Sequence, residues 1–220
     1  MATKKAKITK EMLISLYMES VLENGKAPKS IYHFAKENNF EEADFYAFFG
    51  NFERVEKEIF LQFYQNTLNL LEANQAYLEY GTKEKMLSFY FTFFELLAAN
   101  RSYVVLALKL HHNPLKNLVP LTLLREQFKE YTASILTDEY RIATQKLQNV
   151  QDKAIQESAW LQLLFTIKFW LEDDSPAFEK TDILIEKAVN TTFELMRVAP
   201  VNQLLDLGKF LFKEKFQSKF

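Results

Sequence analysis

Residues 38 to 55 read "NNFEEADFYAFFGNFERV", and three carboxylates, Glu41, Glu42 and Asp44, crowd the positions just ahead of Phe45 and Tyr46. At the start of a helix such groups complement the positive end of the helix dipole, each by roughly 0.3–1 kcal/mol. On a face turned to nucleic acid they repel phosphate instead, by about 1 kcal/mol at 4 Å even in bulk water. They also forgo the counterion release that a cation in their place would supply. A carboxylate can, however, accept a hydrogen bond from the amino group of cytosine, which is direct readout. The residue types thus admit a capping role, a repulsive role or a base contact.

Other side chains with chemical potential are few. His111 and His112, in "HHNP", are adjacent and so cannot share one helix face, and the sequence offers no further ligands to complete a metal site with them. A turn or pocket-rim role fits His111 better, and His33 is expected on the outer face of its helix. Asp173 and Asp174 precede Ser175-Pro176 and read as a helix-start signal rather than a metal cluster. With no cysteine there is no thiol nucleophile, thiolate ligand or disulfide. A Gly-rich phosphate loop, a G-x-S-x-G elbow and an H-E-x-x-H pair are all missing. No catalytic residue, metal or cofactor is therefore assigned, and the chain is not read as an enzyme.

The 220 residues have room for one medium domain, or a small one joined to a larger one. A hydrophobic content of 48% with 25% charged residues is that of a water-soluble globular chain. At 21 Phe and 10 Tyr, bulky rings must fill either an aromatic core or the walls of a cavity. The basic start "MATKKAKITK" is not followed by the apolar stretch of a signal peptide. The greasiest run, "WLQLLFTIKFWL", is broken by Lys168 and falls short of the roughly 20 residues of a membrane span. A cytoplasmic location follows as an expectation. A net charge of −2 gives no global attraction for nucleic acid, so DNA binding would have to rest on local geometry.

Apolar residues recur every three or four positions, and there are only 4 Gly and 5 Pro, so the pattern is all-helical. Ile8, Met12, Leu13, Leu16, Tyr17 and Val21 form one stripe, capped by Thr9 and ended by Gly25. "APKS" opens a short helix through Ile31, Phe34 and Ala35 to the "NN" turn. A second short helix follows, then a long one capped by Asn51 and reaching about Tyr80, with Gly81 as its stop and Thr82 as the next cap. Later helices are expected near 82–98, 101–110, 115–149, 152–171, 177–198 and 201–219. The change from short to long helices puts the boundary near residue 50, giving domains 1–50 and 51–220.

A helix, a short helix, a turn, another short helix and an aromatic pair leading into a long helix make a helix-turn-helix module with its support. The residues that fill this plan, "FA" (Phe34, Ala35), "NFE" (Asn39–Glu41), "DFY" (Asp44–Tyr46), "FF" (Phe48, Phe49) and "NFERV" from Asn51, resemble the tetracycline-repressor (TetR) family of bacterial regulators. The register holds without a gap from Lys29 to Val55. The resemblance implies a homodimer with one recognition helix per subunit in the major groove of operator DNA, and a ligand cavity in the larger domain. It implies that Lys29 and Ser30 lie near phosphate, that Glu42, Asp44 and Tyr46 face the groove, and that Lys4, Lys5 and Lys7 reach the backbone or a minor groove. Members of the family usually place Ser, Lys, Arg, Thr or Gly where this chain has its three acids.

In the larger part, Phe89, Tyr90, Phe93 and Phe94 belt one helix, with Phe91 on it as well, and Tyr103, Phe128, Tyr131, Trp160, Phe165 and Trp170 follow on others. Rigid rings tile poorly where several helices meet, so this set, with His111 at the rim, is read as lining an apolar cavity for a hydrophobic small molecule or lipid. The helix near 152–171 is apolar nearly all round, as expected of one buried between a subunit and its twin. Residues 201–220 form a basic amphipathic end that either packs on the domain or lies on an anionic membrane surface. Two functions follow from the resemblance and these features: a ligand-responsive, operator-binding TetR-like regulator, or a TetR-fold lipid-binding protein that has lost specific DNA binding and touches membrane through its last helix.

Overall fold

A computed structural model describes residues 8–109, 116–137 and 145–198. Among these residues there is no strand, and the chain is a succession of helices: α1 (Lys10–Asn24), α2 (Ile31–Glu37), α3 (Glu42–Tyr46), α4 (Phe52–Glu72), α5 (Gln75–Glu79), α6 (Thr82–Ala99), α7 (Arg101–Lys109), α8 (Thr122–Ile135), α9 (Gln145–Glu172) and α10 (Glu179–Val198). By packing it sorts into two compact units, Met1–Leu70 with Thr92–Gln127, and Leu71–Phe91 with Phe128–Phe220. The dividing points fall inside α4, α6 and α8, so these helices contribute residues to both units.

In the first unit the short helices are held by their caps and by one ring cluster. Thr9 accepts the Met12 amide at 3.2 Å, and Gly25 closes α1 at φ 66. Ser30 caps α2 through the His33 amide at 3.2 Å, and Asn51 caps α4 through the Arg54 amide at 2.9 Å. The turn between α2 and α3 depends on Asn39, which takes a left-handed φ of 56 that Asn tolerates better than most residues. It lets the Phe40 amide return to the Ala35 carbonyl at 3.0 Å, satisfying an orphan carbonyl at the end of α2.

Phe34, fully buried, is the hub: Tyr17, Phe40, Phe45 and Phe52 surround it edge-on with centroids 5.4–6.3 Å away. These rings come from α1, the α2–α3 turn, α3 and α4, so one side chain fixes all the elements of the helix-turn-helix. Two polar links tie α1 to α4 around it: the Tyr17 hydroxyl donates to Glu56 at 2.6 Å, and Lys10 pairs with the buried carboxylate of Glu58. Of the apolar stripe read along α1, Leu13, Tyr17 and Val21 are buried, while Met12 is 41% exposed.

The second unit has its own aromatic cluster. Phe89 stacks obliquely on Phe128 and Tyr131 at 5.1 and 5.0 Å, and Phe128 reaches Trp160 at 6.5 Å. The Tyr131 hydroxyl donates to the Lys85 carbonyl at 3.0 Å, which leaves Tyr77 as the donor across the 2.9 Å contact between the two phenols.

Three boundaries differ from the periodicity. The helix expected from Asn51 to Tyr80 ends at Glu72, and a separate turn, α5, begins where Asn74 accepts the Ala76 amide at 3.1 Å. The single helix expected over 115–149 is not formed. Pro120 sits in a tight 3-10 segment, Lys116–Leu121, α8 ends at Ile135, and α9 runs without a break across residues 149–152, where one helix was expected to end and the next to begin. Thr82 does not cap α6; its hydroxyl donates to the Ile135 carbonyl at 2.7 Å, satisfying the end of α8 instead. The helix expected over 201–219 lies outside the described residues.

"DDSP" does act as a helix start. The buried Asp173 carboxylate accepts the amide and hydroxyl of Ser175 at 2.9 and 2.6 Å, and those of Thr181 at 2.9 and 2.6 Å. It thereby holds the first turn of α10 across a bend in which Ala177 and Phe178 both have positive φ. Burial pushes the Asp173 pKa up, but the four hydrogen bonds outweigh it and hold the carboxyl at about 2, below its ordinary 3.8. A lowered carboxyl pKa contributes stability that is complete above the unfolded value and lost as pH falls through the folded one. Asp173→Asn should therefore melt below the parent protein at neutral pH, with the gap narrowing between about pH 4 and pH 2 in thermal unfolding followed by circular dichroism. A gap that stays constant over that window would contradict the assignment.

Candidate nucleic-acid interface and ligand cavity

Helix α3 presents two opposite sides. Phe45 is fully buried against the Phe34 cluster, with Phe49 buried just beyond, while Ala43, Tyr46 and Ala47 are exposed, Tyr46 at 55%. Glu42 and Asp44 are half-buried on the flanks between these sides. Asp44 is committed locally: its carboxylate accepts the amide of Glu41, the residue that caps the helix, at 3.1 Å. The acid cluster thus serves first to build a five-residue helix that has little stability of its own.

Lys29 and Ser30 are exposed at the start of α2, the latter with its hydroxyl engaged in capping. His33 lies on the outer side of the same helix, as expected. Between α2 and α3 is an open basin of about 500 Å³, walled by Tyr32, Lys36, Asn39, Phe40, Glu41 and Glu42. Lys4, Lys5 and Lys7, read as backbone contacts, lie outside the described residues, as does His111.

The rings read as cavity walls are shared between the two units. Phe93, Phe94 and Tyr103 are buried in the first unit, whereas Phe89, Tyr90, Phe128, Tyr131 and Trp160 belong to the second. Within the second unit Phe89, Phe128, Tyr131 and Trp160 pack on one another, and Tyr90 lines a void of about 30 Å³ between α6, α8, α9 and α10. Since roughly 10–15 Å³ of such space holds one water, the void takes about two. Its walls are mainly aliphatic or sulfur-bearing, Met86, Ile135, Val189 and Met196 among them, with Thr132, Gln162 and Thr192 as polar points. Thr192 donates to the Gln162 side chain at 2.8 Å. Burial raises the Tyr90 phenol far above its ordinary pKa, so it remains a neutral hydroxyl at the wall.

Apart from Tyr90, nothing in the sequence marks these residues, because aliphatic and hydroxyl side chains at helical spacing look the same whether they line a void or fill a core. Among the described residues no group of three or more His, Asp or Glu is placed to hold a metal ion. No single helix there is long and apolar enough to cross a membrane.

The described residues are all-α, with α2 and α3 forming a helix-turn-helix in the first unit and α6, α8, α9 and α10 lining a small apolar void in the second. Residues 85–211, more than half of the chain, match the family described as tetracyclin repressor-like, C-terminal domain. The protein belongs to the TetR family. No curated protein matches its sequence.

The capping role assigned to Asp44 has a direct consequence. Asp44→Ala should cost about 0.5–1.5 kcal/mol, the ordinary net worth of a lost hydrogen bond, read as a lower denaturant midpoint. Asp44→Asn, which keeps an acceptor, should retain most of that stability. Equal loss by both variants would mean that charge rather than the cap matters.

Proposed function

We propose that the protein is a ligand-responsive transcriptional regulator that binds operator DNA as a homodimer. Residues 1–50 serve as the DNA-binding head, and residues 51–220 as the ligand-binding and dimerisation body. The observation that carries this reading is the two-sided character of α3: one side is locked into the ring cluster, the other stands open on a helix-turn-helix, and the acids are turned to the flanks. Lys29 and Ser30 contact phosphate, and the lysines at positions 4, 5 and 7 add backbone contacts.

Dimerisation draws support from α9 and α10. On α9, Leu161 and Phe165 are 63% and 58% exposed on one side, while Leu163, Ile167 and Trp170 are buried on the other. On α10, Leu195 is 61% exposed, on the same side of the helix as the partly exposed Leu184 and Ala188. Large apolar side chains grouped on paired helices are what a partner copy covers.

A void of about 30 Å³ is far below the roughly 300–1,000 Å³ that drug-sized ligands occupy. A hydrophobic ligand would therefore enter by parting these walls, with the flexible Met86 and Met196 giving way first. A ligand that binds the parted state better shifts the population toward it, and with that the spacing of the two recognition helices.

A second reading is a TetR-fold protein that binds lipid or another hydrophobic ligand and has lost operator binding. It is favoured by the exposed Glu41 at the leading end of α3, where a carboxylate repels phosphate. Selection of bound sequences from a random DNA pool at low and moderate salt separates the two. Enrichment of a palindrome is expected for the regulator, whereas retention that vanishes with salt and shows no sequence preference supports the second reading.

For the dimer, Phe165→Glu should halve the mass measured by light scattering while leaving helical content unchanged. A variant that keeps the parent mass at micromolar concentration would place the interface elsewhere.

A further inference from the structure

The exposed side of α3 has an unusual composition for a surface that reads bases. Ala43 and Ala47 are four residues apart, so their methyl groups stand on the same side of the helix, about 5–6 Å from one another. Tyr46 is exposed beside them, and α3 itself places no cation or amide donor on the strip; the nearest, Lys36 and Asn39, stand across the open basin that Ala43 also lines. At about 100° per residue, Glu42 and Asp44 fall to either side of it, and Phe45 lies opposite in the core.

A strip of two methyl groups cannot read guanine, whose major-groove edge presents only acceptors and is met by Arg or Lys. It does complement the 5-methyl group of thymine, the one apolar feature in the major groove, which Ala contacts directly. Base pairs are stacked about 3.4 Å apart along the helix. Methyl groups about 5–6 Å apart on α3 therefore match thymines one or two steps apart. The flanking carboxylates bear on the choice in two ways: they repel the acceptors of guanine, and where they meet adenine, the partner of thymine, they accept from its amino group. The Tyr46 hydroxyl is left to donate to a phosphate, a contact that positions the helix without specifying sequence.

We propose that Ala43 and Ala47 read thymine 5-methyl groups at the centre of each operator half-site, making hydrophobic contact rather than hydrogen bonding the main source of sequence preference. This rests on the operator-binding reading, and the test keeps the two apart. Sequences enriched from a random DNA pool by the full-length protein are resynthesised with deoxyuridine replacing each thymine in turn, which removes the methyl group and nothing else. Loss of one buried methyl group should weaken binding about fourfold, at one or two positions per half-site. Ala47→Gly, at the end of α3 where glycine is tolerated, should abolish the effect at one of those positions while leaving the others sensitive. A palindrome that is enriched but binds equally with thymine or deoxyuridine everywhere overturns the inference and leaves operator binding standing. A deoxyuridine effect that persists unchanged in both Ala43→Gly and Ala47→Gly overturns the residue assignment. A pool with no enriched sequence overturns operator binding and this inference together.

Discussion

The head of this protein depends on the burial of one ring. Phe34 is the point at which α1, α2, α3 and α4 meet, through Tyr17, Phe40, Phe45 and Phe52. None of the short helices could persist alone, since α2 has 7 residues and α3 has 5, well under the roughly 12–15 that an isolated helix needs. Their stability comes from the side each turns to the cluster. Edge-on ring contacts add about 0.5–1.5 kcal/mol apiece beyond simple burial, and they also fix angles, which aliphatic packing would leave looser. The orientation of α3, and with it any reading of DNA, is a consequence of that geometry.

Much of this arrangement could be read from residue types because its signals are local. Thr9, Gly25 and Asn51 cap or end helices through atoms within four residues, and each does so as expected. Asn39 illustrates the limit. The "NN" dipeptide marks a turn, but which Asn becomes left-handed is decided by Phe40, whose ring must reach Phe34. The helix boundaries that differ do so for separate reasons. Pro120 acts through 3-10 geometry and Thr82 through a distant carbonyl, about which periodicity is silent, whereas Asn74 is a local cap set inside an apolar repeat that runs past it.

The body was less legible. High aromatic content predicts either a filled core or a lined cavity, and the choice turns on how rings from α6, α8 and α9 tile. Phe89, Phe128, Tyr131 and Trp160 interlock at 5.0–6.5 Å, and the space that remains is bounded by side chains without rings, apart from Tyr90 and Phe193. Beside this packed aromatic wall, the small void is lined in part by methionines, whose thioether side chains rearrange at less cost than rings. The same local logic recurs at Asp173, where an acid that reads as a helix start is one, yet its second partner, Thr181, lies eight residues away across a bend.

Capping and DNA recognition ask opposite things of α3. A five-residue helix needs acceptors at its leading end, and the strongest available are carboxylates; a surface that approaches phosphate needs those charges elsewhere. A serine cap would serve both demands, forgoing only the favourable charge of a carboxylate at the helix dipole. This chain keeps the carboxylates and resolves the conflict by direction: Asp44 turns back to the Glu41 amide, Glu42 lies half-buried, and the outward strip is left to two methyl groups and a phenol. With charge confined to the flanks, the strip can discriminate only by shape and apolar contact. Under the operator-binding proposal, long-range attraction to the DNA backbone falls to Lys29 and to the lysines at positions 4, 5 and 7, all ahead of the acids in the sequence. Affinity would then depend on salt, and specificity on methyl groups that salt does not touch.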